Sequence, residues 1–324
     1  MSPEIEGAGP DPAAPAMPWQ WRVLLPYIRR ELPGWGALYG LFGGWREDRW
    51  RQAGIATIRG KLHGYRMRLD LSNWSQRLTF CLGRYYDLPL QLAMQRLLRR
   101  GDTFVDVGAN LGMISLLACR LVGPDGHVIA VEPNPDLARS LDLLRVENGL
   151  AQMEIAKVAL GPAAGQALLH EFAGHSGWGS LIPDAPAGAA ESARWPVPVV
   201  TGDELLAEID RSSRLILKID VEGYEIPALR GLARVLDARR PLVFIEAVEE
   251  NQRRAGFSLS ELHAEFERHG YEGMLLSLRR SGATRSRLAA LPFHDRRKPA
   301  TDALFVPLDG ELRGRAADLL AGSR

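Results

Sequence analysis

Lys218, Asp220 and Glu222 alternate with Ile219 and Val221 in the run Leu217-Lys218-Ile219-Asp220-Val221-Glu222. On an extended strand these three side chains share one face. A carboxylate at the end of such a strand can take a proton from a substrate hydroxyl, or it can join a second carboxylate in holding a hard cation. Glu246 closes another apolar run, Leu242–Ile245, and is the natural second carboxylate. Asp220 with Glu246, and Glu222 as a further oxygen donor, make the candidate site for a divalent cation such as Mg2+. Metal-free chemistry would instead use Asp220 or His175 as the base. Each residue also has a plainer role. Lys218 can neutralise a neighbouring buried carboxylate. Glu222 can be an acid at the start of the following helix. His175 can be a loop histidine, and Glu225, Glu249 and Glu250 read as solvated acids.

A second constellation lies upstream. Asp106-Val107-Gly108-Ala109-Asn110-Leu111-Gly112 follows an apolar strand and opens a helix. The glycines let the chain turn tightly, and the helix N-terminus favours an anionic group. The spacing is neither the dinucleotide fingerprint nor a P-loop. Glu132, with Asn134 two residues on, ends the next strand, Val128–Val131, where a carboxylate can bind both hydroxyls of a ribose. Glu132 and Asn134 can also serve only to start the next helix. The two segments together suit a ligand with a ribose and a charged amino-acid end, and S-adenosylmethionine has both.

These segments resemble the first motif of S-adenosylmethionine-dependent methyltransferases, and more narrowly the FkbM family. Lys218-Ile219-Asp220-Val221-Glu222-Gly223 is similar to that family's lysine-containing strand running into Asp-x-Glu-Gly. Val158-Ala159-Leu160-Gly161 resembles its "ALG" strand end, and Gly177-Trp178-Gly179-Ser180-Leu181 its "G-x-x-SL" loop. The likeness runs from about Gly83 to Val306, with Asp87 where the family carries Glu. It implies that Asp106, Gly108, Ala109, Asn110, Gly112, Glu132 and Asn134 bind the cofactor. The reaction it implies is O-methylation of a sugar, glycolipid or polyketide-type natural product. Lys218, Asp220, Glu222 and His175 are the catalytic candidates. The alternatives are a binding protein that keeps the fold without turnover, and an N-methyltransferase acting on a small molecule or protein. No Asn/Asp-Pro-Pro-Tyr/Phe amino-methylating motif is present.

The elements that must position these groups follow a strand–turn–helix rhythm from residue 102 onward. Strands are expected at Thr103–Val107, His127–Val131, Met153–Ala159, Leu215–Asp220 and Pro241–Ala247. Helices are expected at Met113–Leu121, Asp136–Glu147, Asp203–Glu208, Ile226–Leu236 and Leu259–His269. Gly273–Leu278 and Ala303–Val306 read as closing strands, with a loop over 279–302. This is an α/β pattern: a doubly wound, mostly parallel Rossmann-like sheet. Residues 161–198 break the rhythm as a Gly/Ala/Pro-rich insertion with one or two short strands. Residues 87–310 are thus the catalytic domain, and 311–324 a C-terminal tail.

Before it, residues 1–16 read as a disordered tail, and 17–86 as an extension of short helices and a β-hairpin. In that hairpin Tyr65–Leu71 would pair with Leu78–Leu82. Residues 17–53 interleave five tryptophans with arginines. They are expected either to pack as accessory helices or to touch a membrane surface or lipid-linked acceptor.

Forty Lys+Arg against thirty-nine Asp+Glu leave a net charge of +1, which argues against a nucleic-acid partner. Two cysteines, Cys81 and Cys119, cannot build a disulfide framework. With no secretory signal and no long apolar run, the expected location is the cytoplasm. The acceptor and the oligomeric state are not fixed by the sequence.

Overall fold

The computed structural model describes residues 17, 19–172, 179–184, 190–210, 212–281, 285–295 and 301–321. The chain divides into two compact units, Met1–Tyr86 and Asp87–Arg324.

In the first unit, α1 (Trp19–Arg29) turns Trp21, Leu25 and Ile28 inward at i, i+4 and i+7. Trp21 meets the rings of Tyr39 and Trp50 edge-on at 5.5 and 4.9 Å. Those rings come from α2 (Trp35–Leu41) and α3 (Glu47–Trp50). Next, β1 (Ile55–Arg59) pairs antiparallel with β2 (Arg66–Asp70). The hairpin therefore has a different partner from the one expected. Leu78–Leu82 lies in α4 (Trp74–Leu82), because Asn73 accepts hydrogen bonds from the Ser75 and Gln76 N–H groups and starts a helix there. Buried Arg77 then donates to the Leu71, Ser72 and Gly44 carbonyls, fixing the helix on the chain before it.

The second unit opens with α5 (Leu88–Leu97), capped by Asp87. There follow β3 (Thr103–Val107), α6 (Met113–Val122), β4 (His127–Val131), α7 (Pro135–Glu147) and β5 (Met153–Ala156). The expected strand Met153–Ala159 is split. Its last residues form β6 (Ala159–Leu160), in a separate sheet with β7 (Gly165–Phe172), β8 (Gly179–Ser180) and β9 (Glu191–Val200). The inserted region is thus a four-stranded layer, with its own small core of Ala159, Leu169, Val197 and Val199.

The chain returns through α8 (Gly202–Leu205) to β10 (Leu215–Ile219), α9 (Glu225–Arg230), α10 (Ala233–Arg239) and β11 (Leu242–Glu246). Gly231, whose carbonyl accepts the Asp203 N–H, interrupts the single helix expected over Ile226–Leu236. After α11 (Glu249–Arg254) and α12 (Leu259–Arg268) come β12 (Tyr271–Ser281), β13 (Arg285–Pro292), β14 (Asp302–Pro307) and α13 (Glu311–Ala321). The segment expected as a 279–302 loop therefore contains a strand, β13, paired antiparallel with β12. The expected tail carries a helix, α13, tied down by Arg315 on both oxygens of buried Asp102 at 2.6 and 3.1 Å.

The large sheet has the order β13-β12-β14-β11-β10-β3-β4-β5. Its five strands from β11 to β5 are parallel, and β12, β13 and β14 join antiparallel. All five residues of both β3 and β10 are buried, as expected for strands covered on both faces. The chain leaves β3 toward β4 and β5, then returns on its other side with β10 and β11. That reversal opens a crevice at the carboxyl ends of β3 and β10, the place where doubly wound sheets bind ligands.

Candidate active site

Asp106 and Lys218 are cross-strand partners in the β3–β10 register, so their side chains emerge on one face at the crevice. Lys218 Nζ lies 3.2 Å from Asp106 Oδ1 and 3.3 Å from Asp220 Oδ2, and donates to the Gly108 carbonyl at 3.0 Å. Ser115 Oγ donates to Asp106 Oδ2 at 2.6 Å. Side-chain exposure rises along this chain of charge from 0% at Asp106, through 6% at Lys218, to 30% at Asp220. Asp106 is therefore an internal anchor, and Asp220 is the member that faces outward. Burial alone would lower the Lys218 ammonium, but the two carboxylates outweigh it and hold it above its ordinary value.

The turn after β3 is packed against the backbone after β10. Gly108 has φ +75, and a Cβ there would sit 1.9 Å from the Asp220 carbonyl oxygen. At Gly112, φ +74, a Cβ would meet Leu141 and Leu144 of α7. Both glycines are required by protein packing, which places the turn rather than leaving a gap for ligand. The Gly108 and Ala109 N–H groups bond to the Val131 carbonyl, fixing the turn to the end of β4.

There Glu132, 5% exposed, accepts the Asn110 N–H at 2.7 Å on one oxygen and the Asn134 N–H at 2.9 Å on the other. Burial pushes its carboxyl up to about 7, against those two donors. Each oxygen keeps a lone pair for a ribose hydroxyl. Asn110 is in the left-handed region at φ +51, and its Oδ1 is buried without a hydrogen-bond partner among the described residues. That orphaned acceptor beside a lone-pair-bearing carboxylate fits the ribose and ammonium donors of S-adenosylmethionine. Asn134 takes the helix-starting role: its Oδ1 caps α7 through the Asp136 and Leu137 N–H groups, and its backbone N–H donates to Glu132.

On the other side of Asp220 lies an acidic cluster. Asp220, Glu222 and Glu246 each offer a carboxylate oxygen, all within 4.8 Å of one another. Asn251 Nδ2 bridges two of them, at 3.0 Å from Glu222 and 2.8 Å from Glu246. Burial first, then the neighbouring carboxylates, push Glu222 up to about 8 and Glu246 well above the usual range. In the next register position Glu246 faces buried Asp302 of β14. Burial and the carboxylate of Asp87 raise Asp302 strongly, and Thr301 Oγ1 donates to it at 3.0 Å.

The loop that carries Glu222 is held in an uncommon conformation. Glu222 has φ +54, a strain retained only where surrounding contacts impose it. Its carbonyl accepts from Ser180 Oγ at 2.9 Å and Arg254 Nη2 at 3.1 Å. Glu225 is fully buried rather than solvated, and it accepts the Val221 and Gly223 N–H groups at 3.0 and 3.2 Å. Ser180 belongs to the "G-x-x-SL" stretch and Glu222 to Asp-x-Glu-Gly, so the structure joins these two stretches directly. Glu249 and Glu250 are exposed. His175, Gly177 and Trp178 lie outside the described residues.

Sequence reasoning did not single out Ser115, Asn251, Arg254, Asp302 or, as a site residue, Asp87. Ser115 left a signal, a lone hydroxyl in an apolar helix. Asn251 and Arg254 sit in α11, an element the sequence reading lacked.

Comparison with curated protein sequences gives no match. Among solved structures, the chain is similar to methyltransferase FkbM from Methylobacillus flagellatus KT, at 16% identity over 71% of this chain and 54% of that one, TM-score 0.39. It thus spans about half the length of that protein. It is also similar to an S-adenosylmethionine-dependent O-methyltransferase from Thermotoga maritima, at 13% identity over 70% of this chain and 67% of that one, TM-score 0.36. A third is Aeropyrum pernix fibrillarin with natively bound S-adenosyl-L-methionine, at 13% identity over 67% and 73%, TM-score 0.34. The Methyltransferase FkbM domain matches residues 106–272, half of the chain, spanning Asp106, Glu132, the Lys218–Glu222 strand end and Glu246. The chain belongs to the FkbM family of S-adenosylmethionine-dependent methyltransferases.

Proposed function

We propose that this enzyme methylates a hydroxyl group of a small acceptor, namely a sugar, a glycolipid or a polyketide-type natural product. Bound S-adenosylmethionine supplies a methyl group already activated on a sulfonium. What the chain must add is alignment and removal of the hydroxyl proton, because an alcohol is a weak nucleophile at neutral pH. The observation that carries the reading is the meeting of Asp220, Glu222 and Glu246 within 4.8 Å, beside the turn that fits the cofactor. Glu132 and Asn110 would hold the ribose end, and Lys218, anchored on Asp106, would hold Asp220 in place facing outward.

The oxygen-only donor set suits Mg2+, and the mutual repulsion of three crowded carboxylates would be relieved by a divalent cation. Asp220, Glu222 and Glu246 would hold it, and it would acidify a bound hydroxyl. The reading without metal gives proton removal to Asp220. It has one observation in its favour: Asn251 already bridges Glu222 and Glu246 by hydrogen bonds. A cytoplasmic setting belongs to the same proposal and is supported by two buried free thiols, Cys81 and Cys119.

The test is a methyl-transfer screen with labelled S-adenosylmethionine against sugars, glycolipids and phenolic or polyketide alcohols, with Mg2+, Mn2+ or chelator. Methyl ether formation that is lost with chelator and in Glu246→Gln supports the full reading. Ether formation indifferent to both leaves O-methylation standing and removes the metal. Methylation of nitrogen acceptors alone would overturn the hydroxyl assignment.

A further inference from the structure

Among the described residues of its own unit, nothing buries the outer face of α1. Trp19, Arg22, Val23, Pro26 and Arg30 fall at i, i+3, i+4, i+7 and i+11, and all are exposed. Trp19 and Val23 are each 71% exposed, whereas the inward stripe of Trp21, Leu25 and Ile28 is buried. A helix that only covers a core is polar outside. Leu41 at 77% and Trp45 at 54% add further exposed apolar groups in the same unit.

Charge in this unit is as uneven as its apolar surface. Residues 1–86 contain twelve basic and seven acidic side chains, a net of +5, while the whole chain is +1, so the remainder carries −4. Among the described acids of the unit, Glu47 is exposed and the other three are engaged internally. Glu31 pairs with Lys61 and Arg84, Asp48 with Arg46, and Asp70 accepts from Ser72. On the outer face of the two-stranded sheet Arg59 stands directly opposite Arg66, with Arg68 beside them, all exposed.

We propose that this unit docks on an anionic phospholipid surface, with α1 lying flat in the headgroup region, Trp19 and Val23 inserted and Arg22 and Arg30 on phosphates. Tryptophan prefers the membrane interface, and basic residues next to it are drawn by anionic lipid over about a Debye length. The 11 residues of α1 span roughly 16 Å, enough to lie on a bilayer and too short to cross it. None of the described helices is long and apolar enough to cross a membrane. A duplex nucleic acid, held through its phosphates, would leave the outward Trp19–Val23 pair unused. This assignment is independent of the acceptor and of the chemistry at Asp220.

The experiment is sedimentation of the full chain with vesicles of phosphatidylcholine alone and of phosphatidylcholine with about one third phosphatidylglycerol. Binding is expected to the anionic vesicles only, and to fall at least several-fold when salt is raised to about 0.5 M. Trp19→Ser with Val23→Ser should weaken it about tenfold or more, and Arg22→Glu with Arg30→Glu likewise. Unchanged circular dichroism and S-adenosylmethionine affinity would show that the variants are folded. No binding to anionic vesicles, or binding that both variants retain in full, would overturn the proposal. So would binding to a single-stranded oligonucleotide, indifferent to Trp19 and Val23, in place of vesicles.

Discussion

Glu132→Gln isolates the cofactor side of the site. In the wild type, burial raises this carboxyl from 4.5 to about 7. The difference corresponds to about 3 kcal/mol at 1.36 kcal/mol per unit. Because the folded value is the higher one, the stabilisation is complete below about 4.5 and lost as pH rises through about 7. The unliganded enzyme is therefore expected to lose up to that amount of stability across this window. Two ribose hydroxyls donated to the carboxylate would favour its ionised form, so cofactor binding should expel the proton. At pH 6.5 a group titrating near 7 is about three-quarters protonated, so release should approach that fraction of a proton per cofactor. Titration calorimetry in buffers of different ionisation enthalpy measures it directly. In Glu132→Gln proton release should vanish, and affinity should drop roughly 30- to 1,000-fold, the worth of charge-assisted bonds of about 2–4 kcal/mol. The amide also sets an NH2 group against one of the two backbone N–H donors, offsetting the relief of the buried charge and leaving net stability little changed. Wild-type affinity in the variant, or no proton release from the wild type, would refute the assignment of Glu132 to the ribose.

Other perturbations reach the scaffold beneath the site. Lys218→Met should cost about 3–5 kcal/mol in urea unfolding, since Asp106 is left buried without its cation. Gly108→Ala should cost at least ~3 kcal/mol or prevent folding, because its Cβ would overlap the Asp220 carbonyl; soluble yield and melting temperature report it. Arg315→Ala should lower stability by about 2–4 kcal/mol by stranding Asp102, with thermal unfolding as the readout.

The parallel core was legible because its strands are short apolar runs punctuated by turns. Thr103–Val107 and His127–Val131 match the structure to the residue. Where apolar runs are short and lack a clear period, type was misjudged: Leu78–Leu82 reads as a strand until the Asn73 cap is weighed. The extra sheet was concealed by Pro196 and Pro198 in β9, which usually argue against a strand. They are tolerated because β6 pairs only with Val199 and Val200, leaving the earlier part of β9 as an edge. β13 was missed because arginines at 285 and 287 made the segment look like a basic loop. In the candidate site, the grouping of Asp106, Glu132 and Asp220 at neighbouring strand ends was visible from their place in the sequence pattern. What could not be read was division of labour: that Asp106 is wholly internal, that Glu225 clasps a loop, and that Asn251 and Asp302 arrive from distant elements.

The single ammonium of Lys218 touches the β3 turn, the buried Asp106 and the outward Asp220 at once. On the proposed assignment, cofactor half and acceptor half share a keystone, and neither can be reshaped without disturbing the other. Diversification of such an enzyme is channelled elsewhere. The four-stranded layer joins the scaffold at only two covalent points, after β5 and before α8, and reaches the Glu222 loop through Ser180. Under the proposed function, it is the part that can be exchanged as a cassette, and new acceptor ranges would be built by swapping that layer around an unchanged charged hub.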